Sequence, residues 1–158
     1  MGCLKLKLTV AYDGSRYKGW QVQKSGITVQ QKVEEALKRL FPSVERIHSS
    51  SRTDTGVHAR GMVAHVEIQK NEYRIGELKL RLALNAFLPD DVSVTEVKRV
   101  SKNFHARFDA TGKQYRYMIW NHPVANPLKR QVAWHVPREL DFVRMQQGAK
   151  YFIGDHDF

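Results

Sequence analysis

The sequence predicts an α+β fold in which strands and helices follow the order β-α-β-β-α-β, the split arrangement of ferredoxin-like domains, with an antiparallel sheet. Two kinds of hydrophobic spacing support this fold. Apolar and polar residues alternate over the predicted strands, and apolar residues recur every three to four positions over the predicted helices. The length of 158 residues is sufficient for one domain with a buried core.

The first strand and the first helix have the clearest patterns. From Met1 to Val10 leucines alternate with lysines, which predicts a half-buried strand. Thr28 and Gln31 form a capping box, and apolar residues follow at helical spacing. We therefore expect a helix from about Thr28 to Phe41, which the next residue, a proline, ends.

The middle of the chain contains two further strands and a second helix. Strands are predicted at Val44–Ile47 and Met62–Ile68, separated by a long polar loop, His48–Gly61. Leucines alternate over Leu78–Leu84 as they would in a strand, but the composition favours a helix, which is our prediction. Branched residues over Val92–Val97 predict the next strand.

Weaker patterns occupy the rest of the chain. We predict a strand at Gln114–Trp120, a short strand at Val132–Val136 and an amphipathic helix at Leu140–Ile153. The sequence stops at Phe158, soon after this helix and without the polar tail that commonly follows a finished domain. We therefore expect a truncated protein.

Charge and cysteine content narrow the classes of partner and compartment. The chain has 26 Lys+Arg and 16 Asp+Glu, a formal net charge of +10, which favours a polyanion such as nucleic acid or an anionic membrane surface. Cys3 alone forms no intrachain disulfide, so a reducing compartment such as the cytoplasm is expected. No apolar run is long enough for a membrane span, and no basic amphipathic helix favours a membrane surface.

The polar loop contains the densest group of candidate catalytic residues. Arg52 and Asp54 are two positions apart, so in an extended segment their side chains point the same way. Arg52 is then placed to keep Asp54 ionised and to donate to a phosphate. A surface salt bridge in a turn is an equally good interpretation. Gly56 permits a backbone angle that a side chain would forbid. His58 is expected to form hydrogen bonds rather than to act as a catalyst.

Other chemistries are poorly supported. The glycine-rich phosphate loops GxxxxGK[ST] and GxGxxG and the zinc motif HExxH are absent from the sequence. His58 and His65 lack the spacing of a zinc-binding pair, so we expect no metal site. The serines at Ser49–Ser51 lack an evident base that would make one of them a nucleophile.

Basic and aromatic residues interleave in three segments, Arg16–Trp20, Lys102–Phe108 and Lys113–Tyr117. Single-stranded RNA binding requires cations that contact phosphates beside rings that stack on bases. Core aromatic residues with a solvated basic face would explain any one segment. Three such segments in a chain of charge +10 favour a nucleic acid.

From Leu6 to Phe158 the chain resembles the tRNA pseudouridine synthases of the TruA type. The resemblance rests above all on the run RTDTGVHA at Arg52–Ala59. The other motifs that carry it, in order, are Tyr12–Gln21 (YDGSRYKGWQ), Thr28–Gln30 (TVQ), Leu84–Asp91 (LNAFLPDD), Phe104–Phe108 (FHARF), Tyr115–Tyr117 (YRY) and Gly154–Phe158 (GDHDF). Several motifs that agree in order are more specific than any one of them.

The resemblance implies a pseudouridine synthase fold, present as its N-terminal half, and the conversion of uridine to pseudouridine in the anticodon stem-loop of tRNA (tRNA positions 38–40). It implies Asp54 as the catalytic carboxylate, Arg52 as a residue that expels and holds the target nucleotide, and Tyr115 as the ring that stacks on the uracil. The other expected RNA contacts are Arg16, Lys18, His58, Arg60, Arg107 and Arg116. No metal or organic cofactor is expected, and the family is typically homodimeric.

Two departures from the family pattern bear on activity. Ser51 stands where the family usually has Gly, which restricts the loop backbone. The family fold also continues into a second half that supplies a Lys or Arg to the catalytic Asp. On this comparison residues 1–110 are a ferredoxin-like (RRM-like) subdomain and residues 111–158 the start of a truncated second one, so we expect a weakened or inactive chain. The alternative is a non-catalytic RNA-binding module of ferredoxin-like fold.

Overall fold

A four-stranded antiparallel sheet is the framework of the first of two compact units, which extends to Lys113, while the second unit begins at Gln114. The structure, a computed structural model, describes residues 2–157. The first unit contains β1 (Cys3–Tyr12), α1 (Val29–Leu40), β2 (His48–Ser49), β3 (Ala59–Gln69), α2 (Glu77–Phe87) and β4 (Val92–Val100). The strand order β2-β3-β1-β4, with every pair antiparallel, confirms the predicted β-α-β-β-α-β arrangement.

β1 lies between β3 and β4 and supplies the centre of the core. Leu6, Leu8 and Val10 are fully buried, and each such side chain contributes roughly 1.5–3 kcal/mol when it is removed from water. The predicted strand includes Met1, which lies outside the described residues. From Cys3 onward the prediction is confirmed.

Both helices of the first unit confirm the predictions. The Thr28 hydroxyl caps α1 by accepting a hydrogen bond from the backbone N–H three residues later, at 3.4 Å. In α2 Leu80 and Leu84 are buried, whereas Leu78 and Leu82 are exposed. The leucines four positions apart share one helical face, which explains why an alternating pattern occurs in a helix.

The predicted strand at Val44–Ile47 is wrong. Both end residues are buried, but the N–H of Val44 bonds to the carbonyl of Phe41 at 3.0 Å, and that of Ile47 bonds to the carboxylate of Glu34 at 3.1 Å. A turn and a side chain therefore satisfy backbone groups that a strand would pair with its neighbour. β2, the strand that does pair with β3 here, follows directly.

The second unit contains β5 (Ile119–Asn121), β6 (Trp134–Val136) and α3 (Phe142–Ala149), and its two strands are parallel. The prediction of a strand at Gln114–Trp120 is wrong for residues 114–118, because the partner β6 offers three residues for pairing. The predicted short strand is confirmed at β6. The helix predicted at Leu140–Ile153 is present but shorter at both ends, as α3, and a 3-10 turn at Lys150–Phe152 follows it. The predicted subdomain boundary after residue 110 stays a prediction.

His65 of β3 is buried and accepts a hydrogen bond. Its Nδ1 accepts from the N–H of Ala106 at 3.1 Å, which attaches the segment after β4 to the sheet. Burial lowers the pKa of His65 to about 4, and the neighbouring charges of His105, Lys5 and His48 act in the same direction. The ring is therefore neutral near pH 7 and keeps the lone pair that this hydrogen bond needs.

Within residues 2–157, no helix combines the length and the apolar character that crossing a membrane would need.

Candidate active site

Two motifs of the sequence, Tyr12–Trp20 and Arg52–Ala59, contact each other in the first unit. We call the first the cradle segment and the second the Asp54 loop. The N–H of Trp20 donates to the carbonyl of Thr53 at 3.0 Å, and the hydroxyl groups of Tyr12 and Thr53 are 2.7 Å apart. The two ends of the cradle segment thus hold the residue that precedes the aspartate.

The residues after Asp54 form a turn that is also held. The N–H of Val57 donates to the carbonyl of Asp54 at 3.2 Å, and the N–H of Gly56 donates to the carbonyl of Tyr17 at 3.3 Å. Gly56 has a φ of 79°, in the left-handed region that favours glycine. Because β3 begins at Ala59, the loop is shorter than predicted. The backbone is therefore fixed on both sides of the aspartate.

Two glycines allow the cradle segment to lie directly against the Asp54 loop. A Cβ at Gly14 would overlap the carbonyl oxygen of Val57. A Cβ at Gly19 would overlap the carbonyl oxygen of Thr53 and lie 3.1 Å from the carbonyl carbon of Asp54. The backbones are thus too close for a side chain at either position.

The Asp54 side chain is exposed on this fixed loop, and so is that of Arg52. Among residues 2–157 the two side chains form no ion pair with each other, so the predicted pairing is absent. This finding argues against the interpretation of the motif as a surface salt bridge. The loop presents a carboxylate and a guanidinium to solvent on a backbone that its neighbours hold in place.

His58 forms hydrogen bonds within the site, in line with the expectation from the sequence. Its Nδ1 accepts from the N–H of Gly14 at 3.1 Å and lies 3.0 Å from the Asp13 carboxylate. The hydroxyl and the N–H of Ser15 both donate to Asp13 and lower the pKa of that carboxyl group. One ring nitrogen thus attaches the end of the Asp54 loop to the cradle segment. In the part of the chain that the structure describes, no three His, Cys, Asp or Glu side chains are grouped so as to hold a metal ion.

Residues 8–109 match the family described as tRNA pseudouridine synthase. The match includes the cradle segment and the Asp54 loop. The chain belongs to this family. A relative from Ruminiclostridium cellulolyticum named tRNA pseudouridine synthase A is 44% identical over 154 residues, which is 98% of this chain and 62% of the relative. The protein of the same name from Solidesulfovibrio magneticus is 47% identical over 159 residues, which is 98% of this chain and 57% of the relative.

A third relative, tRNA pseudouridine synthase A 2 from Clostridium perfringens, is 44% identical over 153 residues and is covered to 62% of its length. The chain therefore spans about 60% of the length of the relatives it matches. The resemblance inferred from the motifs is confirmed.

In this member of the synthase family Arg16 is paired inside the first unit. Its guanidinium donates to Oδ2 of Asp91 from Nε at 2.8 Å and from a terminal nitrogen at 2.5 Å. The Arg16 side chain is nevertheless 75% exposed, whereas that of Asp91 is 14% exposed. The pairing gives Arg16 a role within the fold in addition to the predicted RNA contact.

The other predicted RNA contacts of the chain lie on exposed surface of both units. In the first unit these are Lys18 in the cradle segment, Arg60 in β3 and Arg107 after β4. Tyr115 and Arg116 belong to the second unit, where both are exposed, Tyr115 to 67%. The structure thus brings the Asp54 loop and the cradle segment together, with the predicted residues Arg16, Lys18, Arg52, Asp54 and His58 on these two segments.

Three residues that shape the candidate site were not predicted as parts of it: Tyr12, Thr53 and Asp91. All three lie in motifs that carried the family resemblance, which was the available signal. Residue type and spacing give no indication of a hydrogen bond between side chains 41 residues apart, as in the Tyr12–Thr53 pair.

Proposed function

We propose that this chain carries the catalytic loop of an enzyme that converts uridine to pseudouridine in the anticodon stem-loop of tRNA, with Asp54 as the catalytic carboxylate. One observation carries the proposal: the cradle segment fixes the backbone on both sides of Asp54 and leaves its side chain exposed. The family match and the names of the relatives supply the reaction class. A carboxylate fixed in advance needs little reorganisation when the substrate arrives.

The reaction exchanges one bond to the sugar for another. The glycosidic bond between C1′ and N1 breaks, the detached uracil turns, and a bond forms between C1′ and C5. C5 then loses its proton to solvent, while N1 gains one. A base stacked in RNA is out of reach, so the nucleotide first flips out at a cost of about a few kcal/mol. We assign the Asp54 carboxylate to the sugar side of the flipped nucleotide.

The remaining predicted residues hold the RNA. We propose that Arg52 expels and retains the target nucleotide and that Tyr115 stacks on the uracil. We further propose that His58 contacts the substrate and that the exposed cations bind phosphates, which a net charge of +10 favours. These cations are Arg16, Lys18, Arg60, Arg107 and Arg116. A homodimer in the cytoplasm is the assembly and location we propose.

Release of tritium from C5-labelled uridine in whole tRNA tests the proposal, because C5 loses its hydrogen when the new bond forms. The chain is used in excess over tRNA, so that a weakened single turnover is still measurable. We expect Asp54→Ala to abolish release and to leave tRNA affinity within about 2-fold, since one exposed carboxylate contributes little to phosphate binding. Asp90→Ala, at another exposed aspartate, is the matched control and should release tritium like the parent chain.

The outcome bears on both hypotheses for the chain, an enzyme and a non-catalytic RNA-binding module. Release that depends on Asp54 supports the enzyme. A parent chain that binds tRNA and releases no tritium refutes catalysis by this chain alone. That result is expected both of a truncated enzyme and of the non-catalytic RNA-binding module, and the same Asp54→Ala comparison in a chain of the relatives' full length distinguishes the two.

A further inference from the structure

Asp91, between α2 and β4, binds the cradle segment through three oxygen atoms. Oδ1 accepts from the Tyr17 hydroxyl at 2.5 Å, and Oδ2 accepts both hydrogen bonds from Arg16. The backbone carbonyl of Asp91 accepts from the N–H of Asp13 at 2.9 Å. A single, largely buried aspartate thus holds three residues of one segment.

Burial and hydrogen bonding keep the two side-chain donors of this arrangement, Tyr17 and Arg16, protonated. Burial, and then the hydrogen bond to Asp91, raises the pKa of Tyr17, so its hydroxyl keeps the proton that it donates. The hydrogen bonds to Asp91 likewise raise the pKa of Arg16. Hydrogen bonds to an ionised carboxylate are stronger than neutral ones.

Of the residues that Asp91 holds, Tyr17 contacts the Asp54 loop itself and Asp13 precedes a residue that does. The carbonyl of Tyr17 accepts the N–H of Gly56, and Gly14, which follows Asp13, lies against Val57. One short path therefore leads from the Asp91 carboxylate through Tyr17 to Gly56, in the turn after the catalytic aspartate. A second path starts at the Asp91 backbone carbonyl and passes through Asp13 and Gly14 to Val57.

We propose that Asp91 is a positioning residue for the reaction: it holds the cradle segment, and through it the Asp54 loop, in the arrangement that presents the catalytic carboxylate. The proposal rests on the function proposed above. It adds a role for an aspartate whose side chain forms hydrogen bonds to Arg16 and Tyr17 of the cradle segment, and it gives Arg16 a partner within the fold.

Asp91→Asn tests the proposal because it keeps the shape of the side chain but removes its charge and places an N–H₂ group against a donor. Glu72→Gln is the matched control: the Glu72 carboxylate holds another turn, accepting from the hydroxyl of Ser43 at 2.7 Å and from its N–H at 3.3 Å. Tyr17→Phe, which removes one donor to Asp91, is a second variant in case Asp91→Asn does not fold.

The first readout is amide hydrogen exchange in the chain itself. Exchange of the Gly56 N–H should accelerate roughly 10- to 100-fold in Asp91→Asn, the factor for losing one charge-assisted hydrogen bond. The amides that pair β1 with β3 should keep the protection of the parent chain. Tyr17→Phe should give a smaller acceleration at the same amide, and Glu72→Gln should give none there.

The second readout is the single-turnover rate of tritium release, measured together with tRNA affinity. We expect Asp91→Asn to slow release roughly 10- to 100-fold while the tRNA Kd changes by less than about 2-fold. A residue that merely stabilises the fold would instead lower the protection of the β1–β3 amides together with that of Gly56. Unchanged exchange at Gly56, or an equal change at the sheet amides, overturns the proposal. If the parent chain releases no tritium, this chain alone does not catalyse the proposed reaction, and the exchange result by itself decides the role of Asp91.

Discussion

Gly19 and Gly56 form a matched pair that measures how tightly the cradle segment supports the Asp54 loop. Both have a φ of 79°, a backbone angle that side chains rarely adopt. A Cβ at Gly19 would overlap the carbonyl of Thr53, whereas a Cβ at Gly56 would have no atom within 4 Å. An alanine therefore has the same backbone cost at either position, and only the alanine at position 19 also overlaps a neighbouring carbonyl.

The expected difference follows from the two costs. Left-handed backbone costs an alanine roughly 1–2 kcal/mol, partly offset because alanine also restricts the unfolded chain. Gly56→Ala should thus lower the free energy of unfolding by about 1 kcal/mol. Gly19→Ala carries the same cost plus that of overpacking against a backbone carbonyl, typically about 1–3 kcal/mol. Thr53 and Asp54 would have to move to relieve the overlap.

Urea unfolding of the chain, followed by tryptophan fluorescence and by circular dichroism, measures both variants. Gly19→Ala should unfold at the lower urea concentration, with an unchanged dependence on denaturant. Its single-turnover release of tritium should also fall more than that of Gly56→Ala, because the overlap displaces the residue next to the carboxylate. Equal losses of stability, within about 0.5 kcal/mol, would refute the close contact between the two segments.

Two further predictions concern pH and salt. The pKa of His65 falls from 6.5 in the unfolded chain to about 4 in the folded one. Between these two pH values the unfolded state binds more protons than the folded state. The folded state is therefore most stable above pH 6.5, and it loses this contribution to its free energy of unfolding as the pH falls towards 4. Urea unfolding at several pH values measures the free energy of unfolding. Its decrease from pH 6.5 to pH 4 should be up to about 3 kcal/mol smaller in His65→Asn than in the parent chain. Equal decreases in the two proteins would contradict the prediction. The tRNA affinity should fall steeply with salt. The slope of log K against log salt should decrease by about 0.7–0.9 in Arg107→Gln, as expected for the loss of one phosphate contact. Filter binding at four salt concentrations measures both slopes, and a flat response in the parent chain would count against phosphate contacts altogether.

The arrangement of the sheet could be predicted from the sequence because each strand and helix leaves a local signature. β1 alternates over its whole length, and the leucines of α2 follow helical spacing once composition decides between the alternatives. The strand predicted at Val44–Ile47 fails for a physical reason: burial does not distinguish a strand from a turn whose N–H groups bond to a nearby carbonyl and a glutamate. Such bonds depend on where α1 ends and not on the segment itself.

The sequence predicts the reactive residues of the candidate site but not the hydrogen bonds that hold them in place. Arg52 and Asp54 are recognisable from a dense polar loop and from the family motif. The contacts of Asp91 are not, because its partner Tyr17 lies 74 residues away in the sequence. The predicted Arg52–Asp54 ion pair failed because spacing places two side chains on the same side of a strand but does not make them meet. Long-range hydrogen bonds, rather than neighbours in the sequence, hold this loop.

Under the proposed function, the way in which the Asp54 loop is held determines which energetic costs fall on the complex with tRNA. Flipping a nucleotide costs about a few kcal/mol, which binding to the tRNA has to offset. Ordering a flexible catalytic loop at the same moment would add roughly 1–2 kcal/mol for each residue fixed. In this chain the hydrogen bonds to Thr53 and Gly56 order the loop when the protein folds, so that cost does not fall on the RNA complex. Weakening the cradle segment should therefore slow the chemical step while the phosphate contacts still hold the tRNA, which is the pattern expected of both Gly19→Ala and Asp91→Asn.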